Sequence, residues 1–206
     1  MRVAMTSISK TFEWLLGRIG HHQPALQSHK ELSAEEVDEL TVISAFTASE
    51  IKRLWQLFNQ LNVDHNGCIN RTEMLKLKQL HFNVLGERIL SSGAIKTHGG
   101  LLAFRDFVSH LSVFAPATPT DLKLRFAFKV YDFDGDQRLG REDLTQLLHA
   151  LVPQDLDALD DELSQLIVDK TLEEADRDGD QTLNYMEFRA AVAHSDIASK
   201  LTIHFE

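Results

Sequence analysis

Two twelve-residue stretches constrain this chain more than anything else in it: DFDGDQRLGRED at Asp132–Asp143 and DRDGDQTLNYME at Asp176–Glu187. They begin forty-four residues apart, and each sets acids at its first, third, fifth and twelfth positions. A hard cation takes oxygen from side chains at positions 1, 3 and 5, from the backbone at 7, often through water at 9, and from both oxygens of a glutamate at 12. The two stretches read as copies of one cation-holding device, and such a device dictates what flanks it.

The flanks repeat in register. Leu124, Ala127, Phe128 and Tyr131 precede Asp132 by eight, five, four and one residues, and Val168, Thr171, Leu172 and Ala175 precede Asp176 by the same offsets. These are helical spacings. Behind the loops come Leu144, Leu147, Leu148 and Leu151, then Phe188, Ala191 and Val192, so the unit is helix, twelve-residue loop, helix, an EF-hand. Two more units lie upstream. Leu54, Leu57, Phe58 and Leu61 lead into NVDHNGCINRTE at Asn62–Glu73, followed by Met74 and Leu77. IKTHGGLLAFRD at Ile95–Asp106 is followed by Phe107, Leu111 and Phe114.

The eighth residues of the four loops are Ile69, Leu102, Leu139 and Leu183, aliphatic positions from which paired loops make short two-stranded ribbons. The expected fold is all-α, with four EF-hands in two paired lobes. Pro116 and Pro119 forbid one long helix between the pairs and predict a compact arrangement. The expected divisions are an N-terminal extension at 1–44, a first EF-hand pair at 45–115 and a second at 116–206.

Helix starts are marked by Ser33 with Glu36, by Thr47 with Glu50, and by Thr118 as cap before Pro119. Behind Thr47, Ile51, Leu54, Trp55, Phe58 and Leu61 form one helical stripe. Within the extension, Ile8, Phe12, Leu15, Leu16 and Ile19 form another, predicting an amphipathic helix.

The loops differ in what they offer a cation. The fourth supplies Asp176, Asp178, Asp180, the Thr182 carbonyl, Asn184 and Glu187, with Gln181 where a glycine is usual. The third supplies Asp132, Asp134, Asp136 and the Arg138 carbonyl, leaves water at Gly140, and ends on Asp143, one methylene shorter than glutamate. A shorter arm tends to give one oxygen, so this loop binds calcium more weakly or holds magnesium. The first loop has Asn62, Asp64, Asn66, Asn70 and Glu73, with Gly67 at the sixth position; two carboxylates make a weak site at best. The second, starting at Ile95, is a scaffold. Two calcium sites are expected, the tighter in the fourth loop.

A net charge of -10 repels nucleic acid and suits cations or basic partner segments. The single cysteine, Cys68, forms no internal disulfide and no zinc motif, which points to a reducing, cytoplasmic setting. The opening MRVA follows neither a secretory-signal order nor a myristoylation signal, and no apolar run reaches membrane-spanning length, so membrane contact is expected through a partner. His21, His22 and His29 read as a solvated linker, and no nucleophile or phosphate-loop pattern is present, so no enzymatic activity is expected.

LKLRFAFKVYDFDGD and LIVDKTLEEADRDGDQTLNYMEF resemble calcineurin B and, more closely, the calcineurin B homologous proteins, subunits of sodium/proton exchangers. FTASEIKRLWQLFNQL, NVLGERIL and DIASKLTIHF are similar to the latter, as is the ligand-poor second loop. LSVFAPATPTDLK and the Asp143 ending are similar to calcium- and integrin-binding proteins. The resemblance implies a calcium-binding regulatory protein that embraces an amphipathic helix, foremost in the cytoplasmic tail of an exchanger. Its alternatives are an adaptor for receptor or channel tails, or a regulatory partner of the calcineurin phosphatase. The chain's few methionines beyond its start, Met74 and Met186, suit a groove shaped for one resident partner.

Overall fold

The computed structural model describes residues 31–70, 72–73, 101–151, 160–195 and 201–202. The stripe from Ile8 to Ile19, the helix after Glu73, the first half of the second loop and most of DIASKLTIHF lie outside the described residues. Within them are seven α-helices and one two-stranded sheet, an all-α EF-hand fold. They fall into two compact units that divide between Pro119 and Thr120.

The first unit opens with α1 (Ala34–Ile43), started by a capping box: the Glu36 N–H donates to Ser33 Oγ at 3.1 Å, and the Ser33 N–H to Glu36 Oε2 at 2.9 Å. Thr47 and Glu50 start α2 (Ala48–Leu61) in the same way. Its stripe faces inward as the spacing requires, with Ile51, Leu54, Leu57, Phe58 and Leu61 buried. Phe58 meets Phe104 and Phe107 of α3 (Phe104–Leu111) edge-on at 5.3 and 5.6 Å between ring centroids. Trp55 stands edge-on to Phe104 at 4.8 Å. Phe58, Phe104 and Phe107, all buried, each contribute about 1.5 to 3 kcal/mol by leaving water. Strands β1 (Cys68–Asn70) and β2 (Leu101–Ala103) pair antiparallel with Ile69 opposite Leu102. Those are the eighth residues of the first two loops.

The second unit runs through α4 (Thr120–Tyr131), α5 (Arg141–Leu151), α6 (Asp161–Ala175) and α7 (Tyr185–Val192). Its core holds Leu124, Ala127, Phe128 and Tyr131 from α4, Leu144 and Leu147 from α5, Val168, Leu172 and Ala175 from α6, and Phe188 and Val192 from α7. Thr171 is only half-buried, and its hydroxyl donates to the Ile167 carbonyl at 2.8 Å. Ala191 faces solvent. Here the ribbon shrinks to one bridge, Leu139 opposite Leu183, with N–H to carbonyl distances of 2.9 and 3.0 Å and both side chains fully buried.

Thr118 does not cap α4. Its hydroxyl donates to the Ser112 carbonyl at 2.6 Å, at the start of a short 3₁₀ turn (Ser112–Phe114) where that oxygen also accepts from the Ala115 N–H, and the helix begins after Pro119. A half-buried backbone acceptor outcompetes the exposed helix start for that hydroxyl.

Candidate metal centre

The third and fourth loops are each shaped by their first and last side chains, and the first loop by its last. In the third, both oxygens of Asp132 accept backbone hydrogen bonds, from Gly135 at 2.7 Å and Gln137 at 3.0 Å. In the fourth, Asp176 accepts from Gly179 and Gln181, both at 2.8 Å. These N–H groups turn inward because the fourth and sixth residues are left-handed: Gly135 and Gln137 at φ 81° and 69°, Gly179 and Gln181 at 77° and 65°. The first loop makes the same two turns with the glycine moved, His65 at φ 56° and Gly67 at 83°. Each of these loops therefore places one non-glycine residue in a region that costs it roughly 1 to 2 kcal/mol. The sixth-position rule that marks Gln181 applies equally to Gln137, and the fourth position is a second left-handed slot in all three loops.

The twelfth residue closes each loop from the other side. Glu187 Oε1 accepts from the N–H groups of Arg177 at 2.8 Å and Asp178 at 3.3 Å, and its Oε2 from Asn184 at 3.0 Å. Glu73 repeats this on Val63, Asp64 and Asn70. Asp143, with its shorter arm, still reaches Phe133 at 2.7 Å and Gly140 at 2.9 Å. All three carboxylates are buried. Burial pushes the Asp143 carboxyl up, against the pull of those two donors. The Thr182 hydroxyl, and after it the Thr182 N–H and Arg138, hold Asp180 below the usual carboxylate range.

Among the described residues two sets of carboxylates converge with ligand oxygens within 4.8 Å of one another: Asp132, Asp134 and Asp136 in the third loop, and Asp176, Asp178 and Glu187 in the fourth. Such oxygen-only sets suit calcium or magnesium rather than a softer metal. Asp143 and Asp180, both expected as ligands, stand outside the convergent sets. The Arg138 and Thr182 N–H groups donate to the fifth-position carboxylates Asp136 and Asp180 at 2.8 and 2.9 Å, which keeps the seventh residue of each loop turned with the site. Asn184 is occupied as the cap of α7, accepting from Met186 and Glu187 at 2.9 and 3.1 Å. Its pairing with Glu187 three residues on is a capping box that the sequence displays. In the first loop, Asn62 Oδ1 is buried without a hydrogen-bond partner, an acceptor at the first ligand position.

Residue types, loop turns and converging oxygens define an EF-hand pair. The family model for an EF-hand domain pair matches residues 121–193. The calcineurin B subunit of Naegleria gruberi is 40% identical over 173 residues, covering 84% of this chain and 95% of that protein. The calcineurin B subunit of Kluyveromyces lactis is 35% identical over 81% of this chain and 93% of its own length. That of Candida glabrata is 34% identical over 82% and 94%. The chain belongs to the calcineurin B family of EF-hand proteins, and calcium is the ion its acidic loops are built to take.

Proposed function

We propose that this protein is a calcium-binding regulatory subunit that clamps an amphipathic helix of a partner protein in the cytoplasm. The observation that carries this reading is an apolar stripe left open on α6: Leu163, Leu166 and Ile167, spaced as one helical face, are 41%, 55% and 37% exposed. A stripe of this kind accepts the apolar face of a second helix. The relatives, matched over nearly their whole length, are named for calcineurin, so that phosphatase's other subunit is the partner their name points to. The exchanger tail and the integrin-binding type of adaptor are named by none of these three relatives, and no described helix is long and apolar enough to cross a membrane.

The calcium sites in this reading are the fourth loop, through Asp176, Asp178, Asp180, Thr182 and Glu187, and the third, through Asp132, Asp134, Asp136, Arg138 and Asp143, where magnesium competes. Calcium bound there neutralises carboxylates that otherwise repel one another and fixes the angle between the helices on either side. Titrating an amphipathic helical peptide from the phosphatase's catalytic chain into the wild type and into Leu166→Asp tests the clamp. A one-to-one complex weakened at least tenfold by Leu166→Asp is expected. Equal affinity for both proteins would remove α6 from the interface.

A further inference from the structure

The fifth-position carboxylates of the two calcium loops behave differently. Asp136 lies inside the converging set of its loop, whereas Asp180 lies outside its own. Both Asp180 oxygens are engaged. Oδ1 accepts from the Thr182 N–H at 2.9 Å and the Thr182 hydroxyl at 2.7 Å. Oδ2 forms an ion pair with Nη1 of Arg138, which also donates to Thr182 Oγ1 at 2.9 Å.

This contact crosses from one loop to the other. Arg138 immediately precedes Leu139 and Thr182 immediately precedes Leu183, so the bridge sets the seventh residues of the two loops side by side. The relation is one-sided. Thr182 has no charge to offer Asp136 in return.

We propose that Arg138 is a latch on the fourth loop: its guanidinium, anchored in the third, holds the Asp180 carboxylate away from the oxygens of Asp176, Asp178 and Glu187 until a divalent cation displaces it. The proposal rests on the fourth loop being a calcium site, as argued above. Two effects follow from the geometry. A fixed positive charge beside the site opposes an incoming cation, and one oxygen donor must first be freed. The side chains are 46% and 34% exposed, so water screens the pair and keeps it weak enough to release. Since the backbone of Arg138 is the seventh position of the third loop, filling that loop repositions the latch. Cation binding in one loop is thereby coupled to donor availability in the other.

Calcium titration of the full chain by calorimetry, in the wild type, Glu187→Gln, Arg138→Gln, Asp180→Asn and the double variant of the last two, tests this. Arg138→Gln is expected to tighten the step that Glu187→Gln abolishes by about threefold to tenfold, as for loss of a partly exposed charged contact. The gain should vanish in the Asp180→Asn background. A gain of the same size there shows a general charge effect and overturns the latch, as does no gain in the wild type. A second reading uses no calcium: in chelator, Asp180→Asn should move the Arg138 Nε–H resonance, and an unmoved resonance means that the contact does not form in solution. If that resonance moves but Glu187→Gln leaves every calcium step intact, the contact is real and the assignment of the fourth loop has failed, taking the latch's role with it.

Discussion

The third and fourth loops share five of their first six residues, DxDGDQ, and yet gather different carboxylates. The third converges its first, third and fifth residues; the fourth converges its first, third and twelfth. Two departures account for this. Asp143 has one methylene too few to bring its oxygens beyond the backbone donors of Phe133 and Gly140. Asp180 is drawn aside by a side chain of the neighbouring loop. Identical letters at ligand positions thus fix which donors are available. The reach of the last arm and the chemistry across the bridge decide which of them meet.

The largest expected effect falls on what the loops share. Leu183→Ala and Leu139→Ala each remove a fully buried side chain from the bridge and should each cost about 2 to 5 kcal/mol in the calcium-free protein, read by denaturant unfolding. If either is much cheaper than the other, the bridge is not a common support and the two loops stand on separate footings. A middle-sized effect would make the third loop more like the fourth. Asp143→Glu lengthens the closing arm and should raise calcium affinity there about tenfold while reducing competition by millimolar magnesium, read by calorimetry. Unchanged competition would place the difference elsewhere than in the twelfth residue.

The smallest effect concerns the helices that enter the third loop and leave the fourth. The Tyr185 hydroxyl on α7 donates to Asp121 Oδ1 on α4 at 2.7 Å, and Arg125 both pairs with Asp121 at 2.8 Å and lies over the Tyr185 ring at 4.3 Å. Burial first, then the bond to Asp121, pushes the Tyr185 phenol up to about 12. Its pKa in the folded protein exceeds the ordinary value of about 10, so the stability it contributes is complete below pH 10 and is lost as pH rises towards 12. Asp121 runs the other way. The Tyr185 and Arg125 contacts lower its pKa, so its contribution is present above the ordinary 3.8 and is lost as pH falls through the lowered value. Burial also raises Tyr131, the chain's other tyrosine. The native protein should therefore show almost no phenolate absorbance at pH 10.5, and Asp121→Asn should move the first tyrosine to ionise to lower pH. A wild-type midpoint at the ordinary value would separate α4 from α7 in solution.

Much of this is legible in the sequence. The offsets of Leu124, Ala127, Phe128 and Tyr131 find a buried face because helical periodicity is local. The eighth-position rule matches Ile69 to Leu102 and Leu139 to Leu183 because loop length fixes the register. Capping boxes at Ser33 and Thr47 are readable for the same reason. What escapes depends on partners distant along the chain or on competition for one group. Arg138 reads only for its carbonyl, since nothing within its own loop announces that its side chain will find Asp180 across the bridge. Thr118 reads as a cap until the Ser112 carbonyl is placed beside it. The left-handed slot at the fourth position stays hidden, since the ligand pattern asks for glycine only at the sixth.

The amide hydrogens of Leu139 and Leu183 sit between two fully buried side chains and are given to each other's carbonyls. Water reaches them only when the seam parts, and the seam is a single rung, so there is no partial fraying in which one loop opens while its neighbour stays closed. Their rate of deuterium uptake becomes a clock for the parting of the two loops. Any ion that lengthens the residence of one loop in its closed form slows that clock for both.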